Sequence, residues 1–150
     1  MNNLVIAWGD FGAVAVLGLA ALGSAYGAGV AGMAAIGAWK KCYQQSKAAP
    51  FLIVGFVGAP LTQTIYAFIL LKMKLTAVPT TPENFMLKLG IGVVGGIAIG
   101  LSAVFQGKGA ACACDAYAET GKGFAQNFVV LGMTETVAIF VLAFSMMVKL

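Results

Sequence analysis

The chain lacks histidine altogether, and charge of either sign is scarce, with 9% Asp, Glu, Lys and Arg among its 150 residues. Too few charged groups are present to cover the surface of a soluble domain of this size. Cysteine is limited to Cys42, Cys112 and Cys114. Cys112-x-Cys114 has neither zinc nor dithiol spacing, and no second ligand pair exists, so the three read as small apolar fillers in or near a helix. All nine cations are lysines, no more than two of them adjacent, which fits interfacial anchors and excludes a nucleic-acid surface. A cleaved signal peptide is not expected: Met1–Asp10 holds no Lys or Arg, and the apolar run after it is too long for an h-region of about 7–15 residues.

What is present is 61% hydrophobic residues and twenty glycines, with a mean hydropathy of +0.95. This is an integral membrane chain. Apolar runs extend from Phe11 to Trp39, from about Ala48 to Leu71, from near Leu89 to about Cys114 with an interruption at Lys108, and from Gly123 to Val148. Each suits a helix crossing the bilayer, which takes about 20 residues; open strands would leave backbone groups unpaired in lipid. The fold class is therefore all-α, with four transmembrane helices. Polar turns at 40–47 and 115–122 join helices one to two and three to four. A longer irregular link, Lys72 to Lys88, carries Pro79 and Pro82. Lysines flank both sides equally, so charge alone leaves the orientation open.

The sequence reads as a direct duplication of one hairpin, repeat one over about 11–74 and repeat two over about 87–148. Thr62-Gln63-Thr64-Ile65 lines up with Thr134-Glu135-Thr136-Val137, and Ser24-Ala25 with Ser102-Ala103. An even number of crossings gives both copies one orientation, unlike inverted transporter repeats. Helices one and three are rich in closely spaced glycines, helices two and four in Phe and Tyr. This places small residues on a crowded inner side and bulk outside; an ordinary four-helix bundle is the plainer reading.

Glu135 is a lone carboxylate inside the fourth apolar run. A charge at that depth costs about 2.5–3.5 kcal/mol on insertion scales, which marks it as a functional residue. Counting from a turn centred near Thr120 puts Gln106 at nearly the same height, at about 1.5 Å per residue. The same count pairs Gln63 with Ala28. Ala59, Gln63 and Tyr66 share a helical face. Pro60 has no N–H, so the Phe56 carbonyl is expected to lose its helical partner and the local backbone to open. Carbonyls, the Thr62 hydroxyl, two amide oxygens and one carboxylate form an all-oxygen set suited to a hard monovalent cation. Tyr66 is placed to donate its O–H to Glu135. The plainer reading is interhelical hydrogen bonding without an ion. Lys108 either snorkels or faces a wet lumen, or pairs with Glu135.

At Pro60-Leu61-Thr62-Gln63-Thr64-Ile65-Tyr66, Ser102-Ala103-Val104-Phe105-Gln106-Gly107-Lys108 and Thr134-Glu135-Thr136, the chain resembles the membrane rotor-ring component, or proteolipid, of V-type ATPases. It is most similar to the bacterial sodium-transporting kind, called the K subunit. The resemblance implies a homo-oligomeric ring turning against a stator that carries a cationic residue, coupled to ATP hydrolysis or synthesis in a peripheral head. It implies Na+, or less readily H+, as the cargo. By the family pattern the ligands fall on Glu135, Gln63, Gln106, Thr62 and the Ala59 main-chain carbonyl, with Tyr66 orienting the carboxylate. Ala59 stands where the family pattern has a bulkier residue. The resemblance also implies a bacterial plasma membrane, cytoplasmic short turns meeting the central stalk, and termini outside. The rival function is a small four-helix proton-coupled multidrug exporter. Such exporters carry their acid in the first helix, where this chain has none after Asp10.

Overall fold

A computed structural model describes residues 2–150, and these form four long helices. We label them α1 (Asn2–Gln44), α2 (Phe51–Leu75), α3 (Phe85–Thr120) and α4 (Phe124–Met147). Each is long and apolar enough to cross a membrane. At 43 and 36 residues, α1 and α3 outrun a hydrocarbon core of about 30 Å and continue beyond it.

Several boundaries differ from those expected. Helix α1 begins well before Phe11 and runs through Asp10, which stays exposed on its surface. Helix α3 starts at Phe85 because Asn84 organises the preceding loop: its Oδ1 accepts from the Thr81 N–H at 2.9 Å and its Nδ2 donates to the Pro79 carbonyl at 3.0 Å. Lys108 does not interrupt α3. The second short turn shrinks to the residues around Gly121 and Gly123, both at positive φ (64° and 83°), a conformation that favours glycine.

Helices α1 and α3 run parallel and touch backbone to backbone. A methyl group on Gly92 would fall 1.7 Å from the Gly12 carbonyl oxygen, and one on Gly107 would fall 2.2 Å from the Gly27 Cα. Only glycine permits this approach, so the crowded small-residue face exists as expected. Helix α2 lies against both α1 and α3, whereas α4 packs on α3 and α2 and makes no extended contact with α1 among the described residues.

Bulk is not confined to the outside. Phe68, Phe140 and Phe144 are exposed, but Phe56 is fully buried. It packs on Phe124 and Phe128 at ring-centroid distances of 5.1 and 4.9 Å, with Tyr117 at its edge. The glycine-lined helices are thin, and these rings fill the space left between α2, α3 and α4. They belong to an apolar cluster toward the short turns that includes Ile53, Ala110, Cys114 and Leu131. A second cluster toward the termini holds Leu70, Leu75, Ile99 and Ala138. The polar residues of the middle lie between the two.

The ends are fastened differently. On the short-turn side Lys41 pairs with Asp115 at 3.0 Å and Glu119 at 3.3 Å, all exposed. On the other side Lys88, expected as an interfacial anchor, is 1% exposed. Its Nζ donates to the Val78 carbonyl at 2.6 Å and to Thr80 Oγ1 at 2.9 Å, and Thr80 in turn donates to Asp10. The linking loop folds over the ammonium, so the lysine ties that loop down instead of reaching solvent. Of the cysteines, Cys42 and Cys114 are buried fillers, and Cys112 is exposed.

Candidate functional site

The site begins at a break in α2. Pro60 cannot donate a helical hydrogen bond, and Ala59–Leu61 tightens into a 3₁₀ turn. The Phe56 carbonyl is not left open as expected, because the Ala59 N–H takes it. The Ala59 carbonyl accepts the Thr62 N–H and also the Thr62 hydroxyl, at 3.0 Å. The tighter turn therefore gathers main-chain and hydroxyl oxygen at one point on the helix.

From there the six residues singled out in the sequence form one continuous chain of hydrogen-bond contacts. Thr62 Oγ1 lies 3.2 Å from Gln63 Oε1. Gln63 Nε2 donates to Gln106 Oε1 at 2.7 Å, and Gln106 Nε2 donates to Glu135 Oε2 at 3.1 Å. Tyr66 donates its O–H to the other carboxylate oxygen, Oε1, at 2.5 Å. The direction of the Gln106 amide is fixed by a second partner: its nitrogen also donates to the Leu131 carbonyl at 3.0 Å, a group that can only accept. Gln63 and Gln106 are completely buried, whereas Glu135 and Tyr66 are half-buried.

The height estimate for Gln106 and Glu135 agrees with their direct contact. The pairing of Gln63 with Ala28 does not. Gln63 reaches across to α3, since a one-carbon Ala28 side chain offers its amide nothing, and α1 meets α2 here through Thr64 and Ser24, whose hydroxyls lie 2.9 Å apart. Lys108 does not pair with Glu135. It is exposed, on another side of α3 from Gln106, with its Nζ 5.4 Å from the centre of the Phe105 ring.

Two participants escaped sequence reasoning. Ser102 Oγ donates to the Thr134 carbonyl at 2.7 Å and lies 3.5 Å from Gln63 Nε2. The Leu131 carbonyl anchors Gln106. Ser102 was legible as the residue four before Gln106, hence on its face. The Leu131 carbonyl was not, because it sits one turn before Glu135 and is available only once Gln106 leans against α4. Among the described residues no buried side-chain nitrogen or oxygen lacks a partner. These oxygens and amides form a polar junction of α2, α3 and α4.

Residues 89–148, nearly all of the second hairpin and less than half of the chain, match the family model for the C-type subunit of ATP synthase. Glu135, Gln106 and Ser102 lie inside the matched segment, and Ala59, Thr62, Gln63 and Tyr66 lie before it. The match supports an ion-translocating rotor-ring component in an integral membrane protein. No curated protein matches the chain.

Proposed function

We propose that the chain is the membrane rotor subunit of a V-type rotary ATPase, a duplicated hairpin that carries sodium on Glu135. The observation that carries this reading is the hydrogen-bonded chain from Ala59 to Tyr66, which closes on a half-buried carboxylate midway along α4. Oxygens of Ala59, Thr62, Gln63, Gln106 and Glu135 are the donor set, and Tyr66 holds the carboxylate in aim. Hard oxygen donors with a single negative charge suit a monovalent cation.

Charge supplies the mechanism. A loaded Glu135 is neutral and passes along lipid; a bare carboxylate meets a penalty of about 2.5–3.5 kcal/mol. A cationic residue on a stator releases the ion and faces the empty carboxylate until it reloads. Copies of the chain form a ring, so each reloading advances the rotor by one copy. The short turns at 40–47 and 115–122 face the cytoplasm and meet the central stalk, with the termini outside a bacterial plasma membrane. Moving one charge against 100 mV takes about 2.3 kcal/mol. One acid per four helices sends fewer ions through per turn than one per hairpin, a gearing that favours pumping against steep gradients.

The test is carbodiimide modification of the purified assembly. Glu135 should be the modified residue, and added sodium should slow the reaction at constant pH. Modification that responds to pH alone would replace sodium by a proton as cargo; modification elsewhere would overturn the site.

A further inference from the structure

Helix α2 changes its winding on both sides of the residues that serve the site. Ala59–Leu61 is wound more tightly than an α-helix, and Leu71–Leu75 more widely, as a π-helical turn. Only the nine residues Thr62–Leu70 between them are α-helical. The roll of this segment about its own axis is therefore not dictated by the rest of α2. Roll matters here, because a side-chain tip stands about 6 Å from the axis and a roll of about 20° moves it by about 2 Å. That is enough to lose a hydrogen bond such as Gln63 to Gln106 at 2.7 Å. Three side chains within one turn set the roll, fanning out over an arc of about 160° at 3.6 residues per turn. Gln63 bonds α3 through Gln106, Tyr66 bonds α4 through Glu135, and Thr64 Oγ1 lies 2.9 Å from Ser24 Oγ on α1.

We infer that Ser24 and Thr64 are positioning residues for the ion site: their buried hydroxyl pair fixes the roll of the 62–70 segment. This rests on the function proposed above and adds two residues outside its ligand set. Gln63 and Tyr66 are both tied to Glu135, the one directly and the other through Gln106, so their bonds are disturbed whenever the carboxylate exchanges partners. The bond to Ser24 is not, since Ser24 touches none of the ligands by hydrogen bond and is 2% exposed. It holds the α2 wall of the emptied site in place, so that the next ion meets a formed site. Close packing alone does less: a methyl group on Gly27 would fall 3.0 Å from the Pro60 Cβ, a contact that brings α1 and α2 together without a directional bond. The second hairpin supplies the contrast. Helix α4 is unbroken from Phe124 to Met147, and the residues that align with this pair in the proposed duplication are used otherwise. Ser102 donates to the Thr134 carbonyl, and Thr136 turns its hydroxyl back to the Met133 carbonyl of its own helix. The side-chain tether occurs where the outer helix is interrupted.

The test reads the sodium concentration that halves the rate of carbodiimide modification of Glu135 in the purified assembly. Thr64→Val keeps the branched side chain and removes the hydroxyl, and Ser24 can then bond a carbonyl of its own helix one turn earlier, so assembly is retained. The half-protecting concentration should rise about three- to tenfold, the range for one lost hydrogen bond, with native mass unchanged. Thr64→Ser should restore it. Ser24→Ala should match Thr64→Val, and the double variant should add nothing further. A pair that only fastens two helices would lower thermal stability and leave the half-protecting concentration where it was. That result, a shift that Thr64→Ser does not restore, or additive effects of the two single variants overturns the inference and leaves the sodium site standing. If modification of the unaltered chain answers to pH alone, the sodium reading falls by itself. The tether is then read in the pH midpoint of modification, which Thr64→Val and Ser24→Ala should move equally and Thr64→Ser should not; unmoved midpoints overturn it. Modification at a residue other than Glu135 overturns both.

Discussion

Gln63 and Glu135, which align in the proposed duplication, live in different surroundings. Gln63 is sealed on every side and spends its amide on α3; Glu135 is half-open where α4 meets α2. Under the proposed function, the difference separates scaffold from cargo site. A neutral amide can be buried permanently once its hydrogen bonds are made, whereas a carboxylate that exchanges partners, as the proposal has Glu135 do, has to stay within reach of something outside the bundle. If the two hairpins are read as the proposed duplication, the half without an acid is the wall against which the remaining acid is positioned.

The largest effect should come from making the two halves alike. Glu135→Gln is expected to abolish ion-coupled ATPase activity and carbodiimide modification together, read by sodium-dependent hydrolysis and mass analysis of the labelled chain. Moving the acid, with Gln63→Glu and Glu135→Gln in one chain, should not restore either; recovery would show that placement between α2 and α4 is irrelevant. Next comes the link between the halves. Gln106→Ala takes from the buried Gln63 amide its close acceptor, at about 1–3 kcal/mol for a buried group left unsatisfied, and takes one donor from Glu135, which keeps Tyr66. Sodium protection of Glu135 should weaken at least about tenfold, the equivalent of 1.4 kcal/mol, while the ring still assembles. Tyr66→Phe removes one donor from a half-buried carboxylate and should cost less, a several-fold loss of sodium protection with assembly unchanged. Smallest is Lys41→Ala. Its ion pairs are exposed and worth about 0–1 kcal/mol, so thermal stability should hardly move, and any change should vanish in high salt.

The four helices were legible because apolar length and missing charge leave few alternatives in a bilayer. Their ends were harder, since Lys40 to Gln44 and Asp115 to Thr120 are polar yet helical, extending past the lipid where polarity no longer signals a turn. The site was legible because Gln63, Gln106 and Glu135 are costly residues in an apolar setting and their counted depths converge. What could not be read was direction around the helix axes. Counting gave Gln63 the height of Ala28, but only packing shows that α2 turns it toward α3. Lys88 resembled any flanking lysine, and its burial follows from a loop whose path no local pattern encodes.

The aromatic packing of Phe56 with Tyr117, Phe124 and Phe128 has a consequence for traffic through the bundle. These rings close the interior between the polar junction and the short turns, and Leu70, Leu75 and Ala138 belong to the cluster that closes it toward the termini. Glu135 therefore has an apolar cluster on either side of it along the helix axes. Under the proposed function, whatever reaches the half-buried carboxylate arrives from the flank of the bundle where α4 meets α2, so the chain by itself acts as a berth and not a pore. On that proposal, passage from one side of the membrane to the other requires the berth to travel.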